Sequence, residues 1–174
     1  DPKGMQADFC GADLSGVDFR ETDLSGANFQ GANLIHAEFT AAKLVHVNFH
    51  KANLTEASLS SVDMQGANAS GATFRLADFR KANMTQANFA GADLREANLA
   101  ETRFRLGILR GADLEGAYLV KADLEMANLA EASLIRVDGR EANFQRALLA
   151  DVKLIEADLN RSNLQEADLR SADL

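Results

Sequence analysis

The sequence predicts an all-β fold, a quadrilateral β-helix of about eight rungs of 20 residues. Three observations predict it. From Phe9 to Leu174 every fifth residue is Leu, Phe or Met, with Ala69 and Gly139 the exceptions. The residue two positions earlier is small, usually Ala and sometimes Val, Thr, Ser or Gly. Large residues alternate strictly from Phe9 through Leu14, Phe19, Leu24, Phe29, Leu34, Phe39, Leu44 and Phe49 to Leu54.

A period of five matches neither the 3.6 of an amphipathic helix nor the alternation of a long strand. It does match a three-residue extended segment followed by a two-residue corner. Within the segment, positions two apart face the same way, so the small residue and the Leu or Phe both point inward. The residue between them, mostly Asp or Asn, points outward, as in Ala12-Asp13-Leu14, Ala27-Asn28-Phe29 and Ala112-Asp113-Leu114. Corner positions hold Ser, Thr, Gly, Arg and Glu, and Gly from Gly11 to Gly116 favours the second corner position, where a positive φ is accommodated.

The number of sides follows from the alternation. Stacking like on like requires an even number, and Asn28, Asn48, Asn68 and Asn88 recur every 20 residues with Glu38, Ser58 and Asp78 between them. Four sides satisfy both, with two facing Phe columns and two facing Leu columns. Rungs spaced about 4.8 Å apart then build a rod of roughly 40 Å. Each buried Leu or Phe contributes about 1.5–3 kcal/mol of transfer free energy, mostly offset by chain entropy. Because each rung touches only its neighbours, stability should be nearly additive along the rod.

Composition excludes other classes. The 174 residues are 47% apolar and 25% charged, which argues against disorder. With one Cys, Cys10, no internal disulfide can form; it reads as an exposed, ordinary thiol. No apolar run reaches the roughly 20 residues that span a bilayer, so no membrane partner is expected. Asp1 to Gln6 lack the basic and apolar regions of a signal peptide, so the expected compartment is the cytoplasm. Residues 1–6 are read as a terminal segment or expression remnant and residues 7–174 as a single continuous solenoid.

The A-(D/N)-(L/F)-x-x pattern over residues 7–174 resembles the pentapeptide-repeat family. That resemblance implies a right-handed quadrilateral β-helix and a family abundant in cyanobacteria, most of whose members have no assigned activity. It also implies that a few members, the fluoroquinolone-resistance proteins, bind DNA gyrase by imitating the shape and charge of DNA. Those members carry projecting loops or a hydrophobic C-terminal dimerisation segment, whereas the frame here runs from Ala7 to Leu174 without an insertion.

Departures from the pattern are read as packing. Ala69 is followed by Phe74 and Gly139 by Phe144, so a large residue on one wall is expected to fill the gap on its neighbour. The motif is weakest at Arg103-Phe104-Arg105-Leu106-Gly107-Ile108, and nine of the ten Phe lie at or before 104. This shift points to an in-frame junction of two repeat blocks near 103–108.

No catalytic, cofactor or metal site is expected, because a filled solenoid offers columns of like residues on convex walls. His36, His46 and His50 fall on corners of three different sides. The net charge of −8 disfavours direct nucleic-acid binding and favours basic partners. Half of it falls on the second side, where Asp13, Glu56, Asp93, Glu96, Asp113, Glu115, Glu156 and Asp173 form an acidic stripe against four basic residues. A clustered outward apolar set, Leu106, Ile108, Met126 and Leu148, marks a candidate association surface. The expected role is therefore a non-enzymatic interaction protein, with an acidic DNA mimic binding gyrase or another basic DNA-binding protein as the alternative. A homo-oligomer is also expected, by stacking of the rod ends near Leu174 or by lateral contact through the apolar set.

Overall fold

A computed structural model describes residues 7–174. The segment assigned to residues 1–6 lies outside the described residues. Each outward residue pairs in parallel with the one 20 positions on, from Asp8 with Asn28 to Lys153 with Asp173. The chain is a right-handed quadrilateral β-helix with four sides per rung. The sides are numbered by their first inward residue: Phe9, Leu14, Phe19 and Leu24 open the first to fourth. No helix among the described residues is long and apolar enough to cross a membrane.

Accounting for the five backbone N–H groups of one repeat explains why the frame is so strict. In Ala52–Glu56, Ala52 N closes a turn on Phe49 O at 2.9 Å and Asn53 N donates to Ala32 O, one rung back, at 2.9 Å. Leu54 N and Glu56 N donate forward to Thr73 O at 2.7 Å and Arg75 O at 2.8 Å. The remaining N–H, of Thr55, donates to the side-chain Oδ1 of Asn53 at 3.1 Å. All five donors are satisfied only while the register is held, so an inserted residue must be looped out of the rung for the ladder to continue.

The corners depend on left-handed backbone. The second corner residue has positive φ at every corner from Gly11 to Ser171, with φ of 55–62° even where it is not Gly. Positive φ at the third residue of a hydrogen-bonded turn, after an ordinary φ, is the mark of a type II turn. The preference for Gly seen in the sequence is therefore one expression of a constraint on every corner. Residues such as Glu21, Ala41 and Lys51 accept about 1–2 kcal/mol of local strain each to satisfy it.

The core matches the predicted columns. Phe9, Phe29 and Phe49 stack with ring centroids 4.7 and 5.2 Å apart, and Phe19 stacks on Phe39 at 5.0 Å. The two columns meet edge to face, Phe29 against Phe39 at 6.0 Å and 90°. Where Ala69 interrupts the first column, Phe74 reaches in from the second side, 5.2 Å from Phe89 and 5.1 Å from Phe79.

At Gly139 a side chain of the following rung stands close against the backbone. A Cβ there would lie 2.7 Å from Leu159 Cδ2, so the side chain one rung on in the same column occupies the space.

The ladder runs through 103–108 without interruption, as Asn83 pairs with Arg103, Asn88 with Ile108, and these in turn with Asp123 and Asn128. One departure there, Gly107, has a steric cause. Phe104 takes a position held by Leu or Met elsewhere on its side, apart from Phe144, and lies 5.1 Å from Phe89. A Cβ at residue 107 would sit 2.1 Å from the Phe104 ring, so the usual Ala is replaced by Gly107.

Candidate functional site: the outward faces

The solenoid presents flat sides, and the outward Asp and Asn residues are mostly occupied with their own backbone. Wherever Asp or Asn stands there, from Asp8 to Asp168, its Oδ1 accepts the backbone N–H two residues later. That N–H has no other partner among the described residues. The residues therefore act as Asx turns that satisfy the corner, a role that alternation in and out does not reveal. Their amides also link rungs: Asn48 Nδ2 donates to Asn28 Oδ1 at 3.0 Å and Asn68 Nδ2 to Asn48 Oδ1 at 3.2 Å.

Asp followed two residues later by Arg adds a bidentate ion pair to this turn. Arg20 donates from Nε and Nη2 to Asp18 at 2.9 and 2.7 Å, and Arg80, Arg95, Arg140 and Arg170 do the same to Asp78, Asp93, Asp138 and Asp168. The Arg20 side chain holds the Asp18 carboxyl down at about 2. Burial alone would raise Asp78 and Asp93, but the hydrogen bonds from Arg80 and Arg95 outweigh it and leave both below the usual carboxylate range. Arg140 and Arg170 lower Asp138 and Asp168.

Similar pairing runs through the acidic stripe. In its middle, Arg95 holds Asp93 and approaches Asp113 at 3.6 Å, Arg75 approaches Glu96 at 3.6 Å, and Arg136 pairs with Glu115. Glu56 faces His36 at 3.5 Å. Asp13, Glu156 and Asp173 stand toward the two ends of the side. The side thus sets three arginines among its carboxylates and keeps an acidic excess. DNA carries one charge per about 1.7 Å of axis, whereas the whole chain, at −8 over a rod of about 40 Å, carries one per roughly 5 Å. The second side, with half that charge, carries one per roughly 10 Å.

The three histidines are kept apart, each facing the next rung. His46 Nδ1 lies 3.4 Å from Gly66 O, and His50 Nδ1 lies 2.9 Å from both Ser70 O and Ser70 Oγ. No group of three or more His, Cys, Asp or Glu that could hold a metal is found among the described residues. Cys10 is free and exposed.

The apolar set is brought together on the first side. Leu106, Ile108, Met126 and Leu148 are 46%, 40%, 45% and 47% exposed. Ile108 and Leu148 occupy the Asx column one rung either side of Asn128. Leu106 and Met126 lie on the adjoining corner in successive rungs. Because Ile and Leu cannot accept, the Arg110 and Ala150 N–H groups have no partner among the described residues. Arg110 pairs with Glu131 at 2.7 Å along one margin and Arg146 with Glu166 at 2.7 Å along the other. Apart from Leu174 on the last rung, three further large apolar residues, Leu76, Tyr118 and Ile155, are exposed elsewhere. Each departs from the polar norm of an outward or corner position, the signal by which the sequence could have shown them.

Comparison with known proteins bears directly on this geometry. The family model described as pentapeptide repeats matches residues 5–40, 108–138 and 142–174 in eight copies, and that of the pentapeptide repeat region matches residues 32–107. The chain belongs to the pentapeptide-repeat family. Among solved structures, a trypsin-treated variant of QnrB1, a plasmid-mediated fluoroquinolone resistance protein, is 21% identical with a TM-score of 0.56. That likeness covers 91% of this chain and 84% of QnrB1, and it is one of fold. HetL, a pentapeptide-repeat protein involved in heterocyst differentiation regulation from the cyanobacterium Nostoc sp. strain PCC 7120, is 26% identical. Its likeness covers 92% of this chain and 88% of HetL, with a TM-score of 0.44. Among curated protein sequences none matches the chain.

Proposed function

We propose that this pentapeptide-repeat solenoid is a non-enzymatic interaction protein whose flat sides bind other proteins. The observation that carries the reading is the apolar group on the first side, where Ile108 and Leu148 displace residues the fold itself uses. Each gives up the Asx turn made by its neighbours Asn88 and Asn128 in the same column. Forgoing such a hydrogen bond costs about 0.5–1.5 kcal/mol, and exposed apolar residues return none of it without a contact. The interior supports the non-enzymatic part: inward side chains from Phe29 to Leu149 are filled to closure, leaving their walls to be read from outside.

The test is affinity capture from the source cell, comparing the wild-type chain with the Ile108→Asn/Leu148→Asn variant. The reading expects a protein retained at high salt by the wild type and lost with the variant. Identical capture profiles would refute it. A second reading, an acidic mimic of DNA that binds gyrase or another basic DNA-binding protein, draws on the net charge of −8. It expects salt-sensitive inhibition of gyrase supercoiling by the purified protein. The interleaved arginines and low charge density favour the first reading.

A further inference from the structure

We infer that the first side docks against the first side of a second copy, with the rods antiparallel and a two-fold axis passing beside Asn128. The inference rests on the interaction reading above and names its partner. It starts from the outward column Asn88, Ile108, Asn128, Leu148 and Asp168, whose members are successive rungs of one parallel ladder. An isologous interface needs a surface that complements itself when turned about a two-fold axis. Rotation about an axis along the strand direction at Asn128 sets Ile108 against Leu148 of the second copy, and Leu148 against Ile108.

The polar members complement one another in the same register. Asn88 meets Asp168 of the second copy, an amide donor against a carboxylate. Among the described residues nothing accepts from Asn88 Nδ2, so that donor is free for the contact. Asn128 meets its own counterpart. Its Oδ1 accepts Ala130 N at 3.1 Å, while its Nδ2 lacks the acceptor one rung back that Asn48 finds in Asn28, because Ile108 stands there. On the corner, Met126 meets Met126 of the second copy. On the opposite margin, Arg110 comes to Asp151 of the second copy, while Glu131 comes to its own counterpart with its charge already paired to Arg110 at 2.7 Å, and on the Met126 corner Leu106 comes to the Arg146 stem. Parallel rods would instead bring Asp8 onto Asp8 and Asp168 onto Asp168, so charge selects the antiparallel arrangement.

Area and net charge allow the contact. An accessible surface of 8417 Å² spread over four sides and about eight rungs gives roughly 250 Å² per side per rung. Five rungs then offer roughly 1,200 Å² per copy, against the roughly 800 Å² per partner of a standard interface. The first side carries net −1, against −4 on the second, so two copies of a chain at −8 meet there with little repulsion.

Sedimentation equilibrium on the full chain at tens of micromolar should show a dimer whose stability does not fall as salt rises. A wild-type monomer would overturn the inference. Ile108→Asn/Leu148→Asn restores the column residue and gives Arg110 and Ala150 N–H their Asx acceptors, so the fold is kept, as urea unfolding will verify. It should raise the dimer dissociation constant at least about a hundredfold. A dimer that persists unchanged would overturn the contact. In a Cys10→Ser background, Ile108→Cys mixed with Leu148→Cys should give a pair cross-linked by a short bis-maleimide, which adds to both thiols across facing sheets about 10 Å apart, and neither variant should form it alone. Cross-linking of each variant only with itself would overturn the register. Monomeric wild-type protein that still captures a foreign protein through Ile108 and Leu148 would overturn the self-contact while leaving the interaction reading intact.

Discussion

Replacing Gly107 by Ala sets consensus against geometry. Ala stands at the equivalent position of most repeats, and φ at 107 is not in the left-handed region, so backbone entropy alone predicts a gain of about 0.4–1 kcal/mol. The structure predicts the opposite sign. The new methyl would lie 2.1 Å from Phe104 Cδ1 and 2.3 Å from Cε1, well inside a normal carbon contact of about 3.5–4.0 Å. The ring cannot retreat freely, being 1% exposed with the Phe89 ring centroid 5.1 Å away. Overpacking of this kind costs about 1–3 kcal/mol, and 2 kcal/mol lowers Tm by roughly 4–8 °C at this chain length. Phe104→Leu alone should cost about 1–2 kcal/mol for lost ring volume. In the double variant the methyl enters space the ring has left, so stability should return to within about 1 kcal/mol of wild type, a coupling of about 2 kcal/mol. Urea unfolding followed by far-ultraviolet circular dichroism measures all four corners of the cycle. A Gly107→Ala protein as stable as wild type, or additive single effects, would refute the reasoning.

Other predictions test the corners and the ion pairs. Asn98→Ala removes the acceptor of Ala100 N, 3.2 Å away, and should cost about 0.5–1.5 kcal/mol, while Asn98→Asp should cost much less; equal losses in urea titrations would contradict the Asx role. Ala41, at φ 59°, should be replaced by Gly with a gain of about 0.5–1 kcal/mol, read as a higher urea midpoint at unchanged slope; a loss would contradict the strain assigned to that corner. The folded state lowers Asp18, to about 2, and also Asp78, Asp93, Asp138 and Asp168. Their contribution is complete above the unfolded carboxylate value near 4 and is lost as pH falls from there toward 2. Thermal melts should therefore fall over that window, and Asp18→Asn, which keeps the turn acceptor, should flatten the fall; an unchanged pH profile would remove Arg20 as its cause.

Much of this molecule was legible in its sequence because a solenoid reduces tertiary structure to periodicity. The five-residue frame, the alternation of Phe and Leu, and Asn28, Asn48, Asn68 and Asn88 at intervals of 20 are enough to set side number, rung length and column membership. The physical reason is that inward Cβ atoms stack at one fixed spacing, so a column in space is an arithmetic series in the chain. The exposed set Leu106, Ile108, Met126 and Leu148 was legible for the same reason. What only the tertiary structure decided depends on distances between rungs. Asp and Asn fill the outward positions because one backbone N–H per repeat has no ladder partner, and that emerges only when all five donors are traced. Arg75, Arg95 and Arg136 lean onto particular carboxylates of the acidic stripe, contacts that a count of charges per side does not place. Leu159 stands where a Cβ at Gly139 would be, and the Phe104 ring excludes a methyl at Gly107, because packing is settled by the rotamers of neighbouring residues as well as by the identity of each one.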